Sequence, residues 1–135
     1  MQKTITIRGV VLPGRQLGRT LGFPTANVRV DPQEFDERRM GGVWLARVVL
    51  EDTADRYWAL VNVGRRPTIE EQGACKAEAW LLDFRGDLYG RGIRIDLLRF
   101  LRPETRFDSV EALRGAIEND RKQALKIIDS NEYAL

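Results

Sequence analysis

A chain of 135 residues, 43% hydrophobic and 31% charged, is long enough to bury one core without disulfide or metal staples. Its 22 basic and 20 acidic side chains leave a net charge of +2, too balanced to imply a nucleic-acid or membrane surface. It contains no histidine and a single cysteine, which excludes Ser–His and Cys–His catalysis, phosphohistidine chemistry, His-ligated zinc and any intramolecular disulfide. The lone thiol, Cys75, reads as lying in a polar loop region and fits a reducing cytosol. No apolar run approaches a membrane span, and Met1 to Arg8 has no signal-peptide core. A cytoplasmic, monomeric, single-domain protein over residues 1–135 is expected.

Short β-rich runs separated by turn residues predict a barrel or sandwich. The first candidate strand covers residues 4–12, and a short one follows Asn27. Residues 31–39 are charged and poorly patterned, which predicts a surface loop or frayed turn. Further strands are predicted over 43–50, 57–63, 77–84 and 93–101. Val43-Trp44-Leu45-Ala46 and Ala79-Trp80-Leu81-Leu82 are apolar on both faces, so these strands need cover from a barrel interior and from a helix or loop. Arg85-Gly86-Asp87 has the look of a hairpin connection. Beyond residue 107 the period changes. Asp108 with Glu111 resembles an N-cap and its reciprocal glutamate. Val110, Leu113, Ile117, Ala124 and Ile128 then recur at helical spacing, predicting one amphipathic helix over about 109–128. Asp120 interrupts the apolar stripe, either as a partly exposed edge or as one end of a helix-to-loop hydrogen bond.

The segment Gly14-Arg-Gln-Leu-Gly-Arg-Thr-Leu-Gly-Phe-Pro-Thr-Ala-Asn27 carries the densest functional signal. Glycines let backbone approach a ligand closely, and backbone N–H groups beside Arg15 and Arg19 attract phosphate. Pro24 pushes Phe23 toward extended backbone. In extended chain Thr25 and Asn27 point to one face, giving two neutral oxygens just past a phosphate-cradling loop. A hard cation such as Mg²⁺ takes few protein oxygens and fills its shell with water and substrate phosphates, so the layout suggests a Mg–nucleotide site. A plain Gly-rich turn feeding a strand is the competing reading, and the segment matches none of the common phosphate-loop patterns.

Taken with its ordered companions, this segment resembles the riboflavin kinases, down to the Pro-Thr-Ala-Asn tetrapeptide. Gly42-Val43-Trp44, Asn62-Val63-Gly64-Arg65-Arg66-Pro67-Thr68, Glu78 followed by Leu81-Leu82-Asp83-Phe84-Arg85-Gly86-Asp87-Leu88-Tyr89-Gly90, and Leu101-Arg102-Pro103-Glu104-Thr105-Arg106-Phe107 are similar to further family segments in the family's order. The resemblance implies a mainly β fold, a closed six-stranded antiparallel Greek-key barrel over about 1–107 with a long C-terminal helix. It implies ATP-dependent phosphorylation of riboflavin at the ribityl 5′-hydroxyl, giving FMN and ADP with Mg²⁺ or another divalent cation. Glu78 would act on that hydroxyl. Gly14, Arg19 and Gly22 would line the ATP phosphates, Thr25 and Asn27 would lie near the metal, and Leu81, Asp83 and Tyr89 near the nucleotide. Arg102 and Phe107 would approach the flavin.

Each assignment has a plainer counterpart. Glu78 heads an apolar row with Trp80 and Leu82, yet an exposed strand end or an arginine partner would account for it equally. Tyr89 and Phe107 read also as core aromatics, and Arg102 as a solvated strand-end charge. Trp44, Trp80, Pro13 and Thr105 depart from the family's usual residues and bear on flavin affinity rather than reaction type. Family members in bacteria are usually fused to an FMN adenylyltransferase module. This chain starts close to the first kinase-like motif, so a stand-alone kinase that stops at FMN and a fragment of a bifunctional protein are both expected possibilities. A flavin- or nucleotide-binding barrel without turnover is the main alternative, and a small nucleic-acid-binding barrel is disfavoured by the near-neutral charge.

Overall fold

The computed structural model describes residues 4–12, 25–31, 33–66 and 74–135. Six strands, β1 (Ile5–Val10), β2 (Thr25–Val30), β3 (Gly42–Leu50), β4 (Arg56–Arg66), β5 (Ala74–Leu81) and β6 (Gly92–Arg102), form one antiparallel sheet in the order β1-β6-β3-β4-β5-β2. The sheet curls until its two outer strands approach. Leu12, just past β1, bridges to Asn27 on β2, its N–H donating to the Asn27 carbonyl at 2.7 Å. The result is a nearly closed barrel. A one-turn helix, α1 (Glu37–Met40), precedes β3, and α2 (Val110–Asp129) follows the last strand.

The two-sided apolar strands have the cover they require. Ala46, Val48, Ala59, Val61, Ala77, Ala79, Leu81, Ile93 and Ile95 fill the interior, while Leu45, Leu60 and Trp80 on the outer face pack under Ile117 and Ala124 of α2. Leu113, Ile127 and Ile128 complete this second cluster, so the predicted helical stripe is the docked face apart from Val110, which is exposed. Tyr133, beyond the helix, donates its hydroxyl to the Leu98 carbonyl at 3.1 Å, and burial followed by Glu132 raises its phenol above the ordinary value.

Five details differ from the sequence reading. β2 begins at Thr25 and contains Asn27, because pairing with β5 outweighs the weak strand preference of asparagine. The charged stretch before β3 ends in α1, whose first turn is capped by the Asp36 carboxylate accepting from Arg38 N–H at 3.1 Å. Cys75 is buried in β5 rather than set in a polar loop. Residues 82–91 make no hairpin, since β5 and β6 are not neighbours and the connection crosses the barrel end. The N-cap of α2 is Ser109, whose hydroxyl accepts from Ala112 N–H at 3.0 Å; Asp108 lies one residue outside.

Candidate functional site

Strand register assembles the site. β5 lies between β2 and β4, and Glu78 stands opposite Asn27 on one side and Asn62 on the other. Directly opposed residues on neighbouring strands keep their Cβ atoms about 5 Å apart. One carboxylate therefore sits between two amides on the outer face of the barrel. Two residues along, Thr25 pairs with Trp80, so Thr25 and Asn27 do share the face of Glu78. Asn27 is buried and Glu78 half-buried. Their neighbours on the interior face are Ala26, Val28, Ala77 and Ala79, all fully within the core.

Leu12 and Thr25 flank the glycine–arginine segment in the chain, and Leu12 is bridged to Asn27. Both flanking residues thus adjoin the polar row. Gly14, Arg19 and Gly22 themselves lie outside the described residues. The connection after β5 also comes here. Gly90 N–H donates to the Val11 carbonyl and Val11 N–H to the Arg91 carbonyl, both at 2.9 Å, tying the turn that carries the exposed Tyr89 to the chain just past β1. Asp83 is exposed in a turn at φ 61°. Leu81 is a core side chain at 1% exposure, so only its backbone can face a ligand.

A second group lies at the end of β6. Arg102 donates from Nε and Nη2 to the two carboxylate oxygens of Asp120 on α2, at 2.9 and 2.8 Å. Asp120 is fully buried, and so is neither a partly exposed edge nor a partner for a loop. The Arg102 guanidinium also sits 5.5 Å from the Phe107 ring centroid, within cation–π range. Phe107 is half-buried and packs on this charge rather than in the barrel core. The two residues expected beside a flavin are therefore in mutual contact.

Sequence reasoning gave no role to Asp96 or Asn62. Asp96 is a buried carboxylate on β6, paired with Arg47 at 3.0 Å and Arg94 at 3.3 Å and accepting from the Thr6 hydroxyl at 3.1 Å. It ties β1, β6 and β3 together and lies away from the polar row. Asn62 lies in that row, and its Oδ1 is buried without a hydrogen-bond partner among the described residues. Nothing in a single sequence marks that oxygen, because the register that places it beside Glu78 is non-local. Thr25 and Asn27 offer two neutral oxygens next to a carboxylate, a donor set that suits a hard cation sharing its shell with phosphate and water.

The riboflavin kinase (flavokinase) family model matches residues 1–128. The chain belongs to the riboflavin kinase family. A bifunctional riboflavin kinase/FMN adenylyltransferase of Pseudomonas fluorescens is 42% identical over 115 residues, covering 84% of this chain and 35% of that protein. An RNA-binding riboflavin kinase of Bacillus subtilis is 39% identical over 114 residues, covering 84% of this chain and 47% of its own length. The chain thus spans about a third to a half of these riboflavin kinase relatives. The riboflavin kinase of Trypanosoma brucei superposes with a TM-score of 0.67 at 23% identity, covering 97% of this chain and 83% of that one, a match of fold. Membership of a kinase family implies ATP as the phosphoryl donor. Among the described residues no helix is long and apolar enough to cross a membrane.

Proposed function

We propose that this chain transfers the γ-phosphoryl group of ATP to the ribityl 5′-hydroxyl of riboflavin, yielding FMN and ADP. The observation that carries the reading is the register that sets Thr25, Asn27 and Glu78 on one outer face, in a chain whose family model spans residues 1–128. The 5′-oxygen forms its bond to the γ-phosphorus as the bond from that phosphorus to the bridging oxygen of ADP breaks. The hydroxyl proton passes to the Glu78 carboxylate. Because phosphoryl transfer is largely dissociative, the alcohol keeps its proton until late, and Glu78 chiefly orients it before accepting the proton.

Thr25 and Asn27 would hold a divalent cation, whose charge offsets that developing on the phosphate oxygens. In this reading Gly14, Arg19 and Gly22 line the phosphates, while Tyr89, Asp83 and the Leu81 backbone border the nucleotide. Arg102 and Phe107 border the flavin, Arg102 being held in place by Asp120. The test is liquid chromatography of riboflavin incubated with purified protein and Mg–ATP. FMN and ADP in equal amounts are expected. Riboflavin bound but never phosphorylated would identify a binding barrel and overturn the kinase reading.

A further inference from the structure

Asn62, at one end of the polar row, carries a buried oxygen that is unsatisfied among the described residues. Buried carbonyl groups in folded proteins nearly always have a partner, and one without a partner carries the cost of its lost hydration. The contrast within this barrel is direct. Asp96 also stands between two neighbouring strands, and Thr6 and Arg47, the residues facing it across those strands, both bond to its carboxylate. At Asn62 the side chain is half-buried, so the amide borders the surface, yet Oδ1 meets no donor among the described residues. The Trp80 indole N–H is likewise unpaired among them, but Trp80 is packed under α2, whereas Asn62 faces Glu78 itself.

We infer that Asn62 is a substrate-binding residue whose Oδ1 accepts a hydrogen bond from a hydroxyl of the polyol chain, next to the one handled by Glu78. This rests on the kinase reading above. An acceptor without a donor calls for a hydroxyl or an N–H, and a polyol presents hydroxyls on consecutive carbons. Two acceptors about 5 Å apart at the Cβ level can each take one of an adjacent pair. Holding the second hydroxyl fixes rotation about the terminal carbon–carbon bond, so the reacting oxygen meets Glu78 and the phosphorus in one orientation. The aromatic ring of the substrate has no part in this contact.

That last point supplies the test. Riboflavin and lumiflavin, which has the same ring and no hydroxyl chain, are titrated by flavin fluorescence in the presence of Mg–ADP against wild-type protein, Asn62→Ala and Asn62→Leu. Both variants should bind riboflavin at least about tenfold more weakly, the loss of one hydrogen bond to a site that excludes water. Lumiflavin affinity should stay within twofold, and the ligand-free melting temperature should be no lower than wild type, since an unpaired buried oxygen has been removed. Equal weakening of both flavins, or unchanged riboflavin affinity, overturns the role of Asn62. Wild-type protein that makes no FMN overturns the kinase reading instead, and the two failures are separately visible.

Discussion

Replacing Asp120 by asparagine isolates the pair that fastens the C-terminal helix to the barrel. Asp120 has a side-chain exposure of 1% and Arg102 of 23%, and two charge-assisted bonds at 2.9 and 2.8 Å join them. Removing one partner of a buried pair costs about 3–5 kcal/mol, mostly from the charge left behind. Here the stranded charge is the arginine, which still touches water and can be partly rehydrated. The expected loss is therefore lower, about 2–3 kcal/mol. For 135 residues, an unfolding entropy of about 2.1 cal/mol/K per residue gives roughly 0.28 kcal/mol/K, so the melting temperature should fall by about 7–11 °C. Urea denaturation should show a lower midpoint with an unchanged slope. Arg102→Met combined with Asp120→Leu should recover most of the loss, because an apolar pair needs no desolvation of charge. An Asp120→Asn protein that melts within about 2 °C of wild type would show that the pair contributes nothing and that the helix is held by its apolar face alone.

Other substitutions address the chemistry and the frame. Glu78→Gln keeps the shape but accepts no proton, so turnover should fall about a hundredfold or more while flavin and nucleotide affinities change far less; a normal saturated rate with weakened binding would make Glu78 a binding residue only. Thr25→Ala and Asn27→Ala should each lower FMN formation about 10²–10³-fold, and chelation should abolish it reversibly; near-normal rates with unchanged metal dependence would refute their place beside the cation. Gly42 has φ 113°, and a Cβ there would lie 2.7 Å from the Arg102 carbonyl oxygen and 2.6 Å from the Phe100 ring. Gly42→Ala should therefore destabilise by at least about 2 kcal/mol in chemical denaturation. The raised Tyr133 phenol implies a contribution to stability that is full below pH 10 and is lost as pH climbs through the folded value; Tyr133→Phe should remove that alkaline dependence in melting curves.

The strands were legible because short β-rich runs are set off by turn residues, and the helix because Leu113, Ile117, Ala124 and Ile128 repeat on one side. Partners were not legible. Arg85-Gly86-Asp87 has the composition of a tight turn whether the flanking strands pair or part, and the strand order that separates β5 from β6 is a property of the whole chain. The same holds at the site. Motif resemblance pointed to Asn27 and Glu78 separately; only register shows that they face one another and that Asn62 completes the row. Asp120 was visible as a break in a stripe, but its partner lies 18 residues away on another element.

β5 serves two masters on alternate residues. Cys75, Ala77, Ala79 and Leu81 point into a lumen filled by small and branched side chains. Lys76, Glu78 and Trp80 point the other way. A saturation screen scored separately for abundance and for flavin phosphorylation should split this strand into two interleaved sets. Enlarging the inward alanines would deplete the protein, whereas changes at position 78 would leave abundance intact and silence the reaction. Such a strand can alter its chemistry one outward residue at a time while its packing stays fixed, which leaves the barrel free to acquire new specificities without first finding a new fold.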